Sequence, residues 1–323
     1  MEKYSIGLLL IGLLLFVVGC STTSTTGGTA FIGGTQGLKT DFMPGNPPDA
    51  IFDGGQSQFS IVLRLENVGE SLVDTGAGYV QINGLDPGTY GTSSFKQDIS
   101  TAIEPAKKNF DGSTLNGGII TVEFGPLQYG PVITGNLQET VWADICYKYT
   151  STATAQLCIK KDPQLLLSDK KICEVEGEKS PQNSGAPIQV TSLKENFAGN
   201  GKIGLTYTIT HVGSGDNFFD DRATVCNDVE SNNQRGVVHV VIKPVTLGGS
   251  TVTPVCSGLS EGNGNEGYLR LFKDNSGKEE YPLYCTLDAS STDSIFQVPI
   301  DATFTYMYLQ HVQKAITIRH IAQ

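Results

Sequence analysis

Val141-Trp-Ala-Asp-Ile-Cys-Tyr-Lys-Tyr149-Thr-Ser-Thr-Ala-Thr-Ala-Gln-Leu-Cys-Ile159 is the stretch on which the architecture turns. Val141, Ala143, Ile145, Tyr147 and Tyr149 recur at period two, which places their side chains on one face of a β-strand. Leu157 and Ile159 resume in the same phase. With Ser151-Thr152-Ala153 taken as a turn, the stretch is expected to be a closing β-hairpin with one apolar face. Residues equidistant from Thr152 then oppose each other. Ile145 faces Ile159, Tyr147 faces Leu157, and on the other face Cys146 meets Cys158. Directly opposed side chains approach the Cβ separation of a disulfide, so a Cys146–Cys158 bridge is expected.

The same pattern returns later in the chain. Ile300, Ala302, Phe304, Tyr306 and Tyr308 alternate 159 residues downstream of Val141 to Tyr149, followed by Ile316 and Ile318, and both copies carry Tyr-x-Tyr. Two further segments repeat in the same order. Phe59, Ile61, Leu63 and Leu65 lead into Asn67-Val68-Gly69, as Ile203, Leu205, Tyr207 and Ile209 lead into His211-Val212-Gly213. Gly78-Tyr79-Val80-Gln81-Ile82 answers Gly236-Val237-Val238-His239-Val240. Three matched segments in one order indicate a tandem duplication. The expected organisation is all-β: a β-sandwich domain over 36–165, a linker over 166–187 and a second β-sandwich over 188–323. Leu38–Phe42 and Ile188–Ser192 read as the opening strands. One short helix fits Phe95 to Lys108, limited by Pro105.

Composition narrows the function. The chain has 323 residues, 38 of them glycine, with 39% apolar and 17% charged residues and a net charge of −11. A surface that acidic repels phosphate backbones, so nucleic acid is not an expected partner. Ile6 to Val18 is nearly all apolar, too short for a comfortable transmembrane helix and suited to a signal-peptide core. Ser21 to Thr29 holds only Ser, Thr and Gly and reads as a flexible tether.

Phe16-Val17-Val18-Gly19-Cys20 resembles the lipobox of prokaryotic lipoproteins, although Val17 stands where the bacterial motif usually has Leu. That resemblance implies a signal peptide over 1–19, lipid on Cys20, and a tether over 20–35. The strand ending in Glu66-Asn67-Val68-Gly69-Glu70, entered from Met43-Pro44-Gly45-Asn46-Pro47-Pro48, resembles CARDB-like domains. These are immunoglobulin-like modules of archaeal and bacterial cell-surface proteins, including S-layer-associated chains. The layout as a whole resembles an archaeal-type cell-surface lipoprotein. In the second copy His211 replaces the signature Asn. The resemblance implies two tandem immunoglobulin-like sandwiches acting as spacers or adhesive elements.

Six further cysteines, 146, 158, 173, 226, 256 and 285, lack zinc-site spacing and suit disulfides in an exported chain. Besides Cys146–Cys158, locality suggests Cys256–Cys285, leaving Cys173 and Cys226 to bridge the two domains or stay reduced. The rival pairing is Cys158–Cys173. Asp216, Asp220 and Asp221 cluster carboxylates of the kind calcium takes, but the spacing is not that of an EF-hand and the chain is acidic throughout, so a solvated acidic loop without metal is the expected reading. Gly262-Asn-Gly264-Asn-Glu-Gly267 fits a dinucleotide fingerprint only on paper, because it joins two strands. Trp142, the one tryptophan, points away from the Val141/Ala143 face. No nucleophile elbow or carboxylate pair stands out. The expected function is therefore a non-catalytic lipoprotein without cofactor, anchored at the extracellular face of the membrane and contacting other envelope proteins. The alternative is a ligand- or carbohydrate-binding lipoprotein serving a transporter or enzyme.

Overall fold

The computed structural model describes residues 29–160, 172–215, 217–227, 232–292 and 294–321. The first half of the chain forms β1 (Leu38–Phe42), β2 (Ala50–Phe52), β3 (Phe59–Asn67), β4 (Gly78–Asn83), β5 (Lys96–Asp98), β6 (Lys107–Lys108), β7 (Thr114–Leu115), β8 (Ile119–Leu127) and β9 (Asn136–Ile159). The second forms β10 (Gly177–Lys179), β11 (Gln182–Asn183), β12 (Ile188–Phe197), β13 (Lys202–His211), β14 (Asn217–Phe219), β15 (Val237–Ile242), β16 (Val245–Leu247), β17 (Ser250–Val252), β18 (Val255–Ser257), β19 (Glu266–Arg270), β20 (Phe272–Lys273), β21 (Glu279–Asp288) and β22 (Phe296–Arg319). The all-β expectation holds among the described residues, and the segment 95–108 carries β5 and β6 in place of the expected helix.

The two hairpins expected at 141–159 and 300–318 are instead single strands of 24 residues each. At about 3.3 Å per residue such a strand is about 80 Å long. Thr150-Ser151-Thr152-Ala153-Thr154 contains no Gly, Pro, Asn or Asp to hold a turn, and its β-branched residues suit extended backbone. Alternation runs unbroken: every odd residue from Val141 to Ile159 is buried.

The long strands pair antiparallel over their whole length, from Asn136↔Arg319 to Ile159↔Phe296. Lys148 opposes Met307, and these two residues also occupy matching places in the repeat. A local two-fold axis therefore passes between them. β4 pairs with the first part of β9, and that part pairs with the second part of β22. β15 pairs with the first part of β22, and that part pairs with the second part of β9. Each half thus lends its last strand to the sheet of the other. The result is one nine-stranded sheet.

Two smaller sheets cover one face of it, β1-β3-β8 in the first half and β10-β12-β13-β21-β18 in the second. Their inward residues form one continuous core, including Ile61, Leu63 and Leu65 from β3 and Ile203, Leu205 and Ile209 from β13. At the axis Tyr147, Tyr149, Tyr306 and Tyr308 pack edge to face, with Tyr147 and Tyr308 centroids 5.9 Å apart. The Tyr149 hydroxyl donates to Asn67 Oδ1 at 3.1 Å and accepts the Ser71 N–H at 3.2 Å. In the second half His211 Nε2 and the Gly215 N–H meet the Tyr308 hydroxyl at 3.1 and 2.8 Å. The repeated Val-Gly is explained here, since a Cβ on Gly69 or Gly213 would run into the Tyr149 or Tyr308 hydroxyl.

Candidate functional site

The halves differ most along one flank, where the edge of a covering sheet approaches the edge of a lent strand. In the second half a strap, residues 177–183, closes that flank. Its β10 pairs with β12 (Gly177↔Glu195 to Lys179↔Leu193), and its β11 pairs with β9 (Gln182↔Thr154, Asn183↔Ala153). Lys179 Nζ lies 3.0 Å from Glu195 Oε2, whose side chain is fully buried. The same carboxylate accepts the Cys158 N–H at 3.0 and 3.2 Å. Burial raises the Glu195 pKa to about 7, against the lowering influence of the Cys158 N–H and Lys179. The Cys158–Cys173 disulfide pins the strap's approach.

The first half has no strap among the described residues. A groove of about 490 Å³ lies there between β1 and the lent part of β22, lined by Gln36, Lys39, Thr40, Ser214, Gln310 and His311 among others. Gln310 Nε2 donates to Thr40 Oγ1 at 2.7 Å, which joins the groove's two walls. The His311 ring lies 5.4 Å from that of Trp142, which is 38% exposed and faces outward as its phase requires. Polar amides and hydroxyls with an exposed aromatic pair can recognise a neutral, hydrogen-bonding ligand.

Residues 29–34, which lead into β1, run beside the strap of the other half. The Ala186 N–H donates to the Gly34 carbonyl, and the Glu70 carboxylate accepts the N–H groups of Ile32, Gly33 and Gly185. Elsewhere, Asp53 accepts from His320 Nδ1 at 2.7 Å and from the Ile133 and Ile321 N–H groups. The His320 bond, followed by the Ile133 bond, holds its pKa down to about 2.

Cys20 and Asp216 lie outside the described residues. The disulfides are Cys146–Cys226, Cys158–Cys173 and Cys256–Cys285. The last is the expected one, between directly opposed strand residues. Cys146–Cys158 and Cys173–Cys226 are corrected, because without a turn at Thr152 Cys146 and Cys158 are twelve residues apart on one straight strand. Cys146 instead meets Cys226 beneath the loop after β14, in an outer-face cluster with Tyr79, Phe219 and Met307. The Tyr79 hydroxyl accepts the Cys226 N–H at 3.0 Å.

Asp220 is bound by Arg222 through Nε at 2.9 Å and Nη2 at 2.5 Å, and Asp221 lies 3.0 Å from Lys148 Nζ. These two carboxylates are thus taken up by cations of the chain itself. The 262–267 segment runs from the connection after β18 into the first two residues of β19. His239 is a strand residue, 3.2 Å from Glu266. Sequence reasoning missed Glu195 and Gln310. Glu195 was legible, since it follows the apolar Leu193 at period two and so falls on the inner face.

No protein-family model matches the chain, and no curated protein sequence matches it.

Proposed function

We propose that the chain is a membrane-anchored cell-envelope lipoprotein that acts without catalysis, as a spacer and protein-interaction module. The observation that carries this reading is the pairing of all six cysteines beyond Cys20 within an all-β body. Disulfides of this kind mark an oxidising compartment outside the cytosol. The apolar run ending in Gly19-Cys20, followed by a Ser/Thr/Gly tether, supplies the route there and the anchor. The duplicated strands and the Asn67-Val68-Gly69 turn fit an immunoglobulin-like, CARDB-like ancestry for each half.

A second reading, a ligand- or carbohydrate-binding lipoprotein, is favoured by one feature, the polar groove beside Trp142 and His311. The anchoring is tested in cells by phase partition and mass spectrometry of wild type and Cys20→Ser. Wild type should enter the detergent phase with a lipid-sized mass on Cys20, and the variant should stay aqueous. A variant processed and retained on the membrane like wild type would overturn the lipoprotein reading.

A further inference from the structure

On its side away from β9, β22 pairs with β14 through Leu309 and with β2 from Thr317. Residues 310–316 have no strand beside them there among the described residues. Backbone groups in an antiparallel ladder point alternately to either side. The Thr317 N–H donates to the Asp49 carbonyl and the Arg319 carbonyl accepts the Asp53 N–H, so odd residues of this strand point into the gap. Gln313 and Ala315 do so with no backbone partner among the described residues, and both are exposed. The opposite wall of the groove, β1, is itself the last strand of its sheet.

The two-fold axis shows what such a gap takes. Moved by the repeat offset, Ala153 and Thr154 of β9 become Val312 and Gln313 of β22. Ala153 and Thr154 are where β11 pairs. The strap that supplies β11 reads Gly177-Glu-Lys-Ser-Pro-Gln-Asn183, extended, with Glu, Lys, Ser, Gln and Asn as its side chains besides Pro181. Residues 29–34, the lead that precedes β1 as the strap precedes β12, are engaged elsewhere: the Ile32 and Gly33 N–H groups bond Glu70, the Ala30 N–H bonds Gln182 of the strap, and the Gly34 carbonyl accepts from Ala186.

We propose that the 310–316 gap is a docking site for an extended polar segment of a partner protein, added as a strand on β22. This rests on the interaction-module reading and names the kind of partner. Main-chain bonds to Gln313 and Ala315 supply the attachment, and the amides and hydroxyls of the groove select polar side chains.

The test uses the full chain in detergent. A displayed random nonapeptide library and a synthetic peptide of residues 176–185 serve as probes, with hydrogen exchange of the 309–317 segment as the structural readout. Enriched peptides should slow exchange at Gln313 and Ala315. They should bind Gln313→Pro at least about tenfold more weakly, as expected for the loss of a main-chain bond. Pro299, exposed on the same strand and in the same phase, shows that such a proline is accommodated; an unchanged thermal midpoint confirms it for the variant, and Ala315→Pro repeats the measurement.

The proposal fails if no peptide enriches, or if enriched peptides bind both proline variants like wild type. It fails also if Gln313 and Ala315 are already protected in the chain alone, since the chain's own residues would then fill the gap. Binding of oligosaccharides in place of peptides at the same segment would overturn it in favour of a glycan site. Detergent partition is read on the same samples, so loss of peptide binding and loss of anchoring are distinguishable.

Discussion

The two halves share a plan and differ in how they are closed. The second half has a strap held by two short ladders, a disulfide and a buried Lys179–Glu195 pair. The first has an open groove at the equivalent flank. Glu195 opposes Leu205, whose counterpart in the repeat is Ile61, and β1 ends at Phe42, opposite Leu63, before it reaches that place. The lock is therefore absent from the first half together with the strap. The repeat holds at the core positions, where packing is unforgiving, and fails at the flank, where an open edge costs little beyond solvation.

The largest effect should come from separating the halves. Cut between residues 165 and 166, the first fragment loses the lent part of β22 and the second loses the lent part of β9. The Cys146–Cys226 and Cys158–Cys173 bridges are broken across the cut as well. Neither fragment should melt cooperatively as a monomer, and co-refolding them under oxidising conditions should restore one cooperative transition. Calorimetry on each fragment and on the mixture checks this.

Next in size are the glycines under the tyrosines. A Cβ on Gly69 would meet the Tyr149 hydroxyl and the Gly185 and Gln36 carbonyls, which have nowhere to go. A Cβ on Gly213 would meet the Tyr308 hydroxyl and Pro187. Each Gly→Ala change should destabilise by about 3 kcal/mol or more in denaturant titration. Equal losses at the two sites would sharpen the symmetry; a loss at Gly69 alone would break it.

A smaller effect, confined to the second half, is expected from Glu195. Its native pKa of about 7 lies above the ordinary 4.5. The stability it contributes is thus full below about 4.5 and is lost as pH rises through about 7. Wild type should lose on the order of 2 kcal/mol between pH 4.5 and 8 that Glu195→Gln does not lose. Identical pH profiles would remove the lock from the account.

Much of this was legible in the residues. The opening strands, the matched strands β3 and β13, β4 and β15, and the internal repeat all follow from period-two alternation and its offset. What misled was parity. A hairpin turning at Thr152 and a straight strand through it place the same odd residues on one face, so alternation cannot separate them. The missing Gly, Pro, Asn or Asp at 150–154 was the available signal. The disulfide pairing inherited that error. The groove was not legible, because it arises where the distant segments 36–41, 214–215 and 310–312 converge.

The exchange of long strands is the central claim, and cross-linking tests it most directly. Gln138 and Thr317 oppose each other near one end of the ladder, Gln156 and Pro299 near the other. Because odd residues of β22 direct their backbone groups away from β9, both are non-hydrogen-bonded pairs, whose Cβ atoms approach to disulfide distance. Cysteines placed at Gln138 with Thr317, and separately at Gln156 with Pro299, should oxidise to give linked peptides within one chain by non-reducing mass mapping. If neither pair links, while peptides joining Cys146 to Cys158 appear in the wild type, the chain folds back at Thr152 and the shared ladder does not exist.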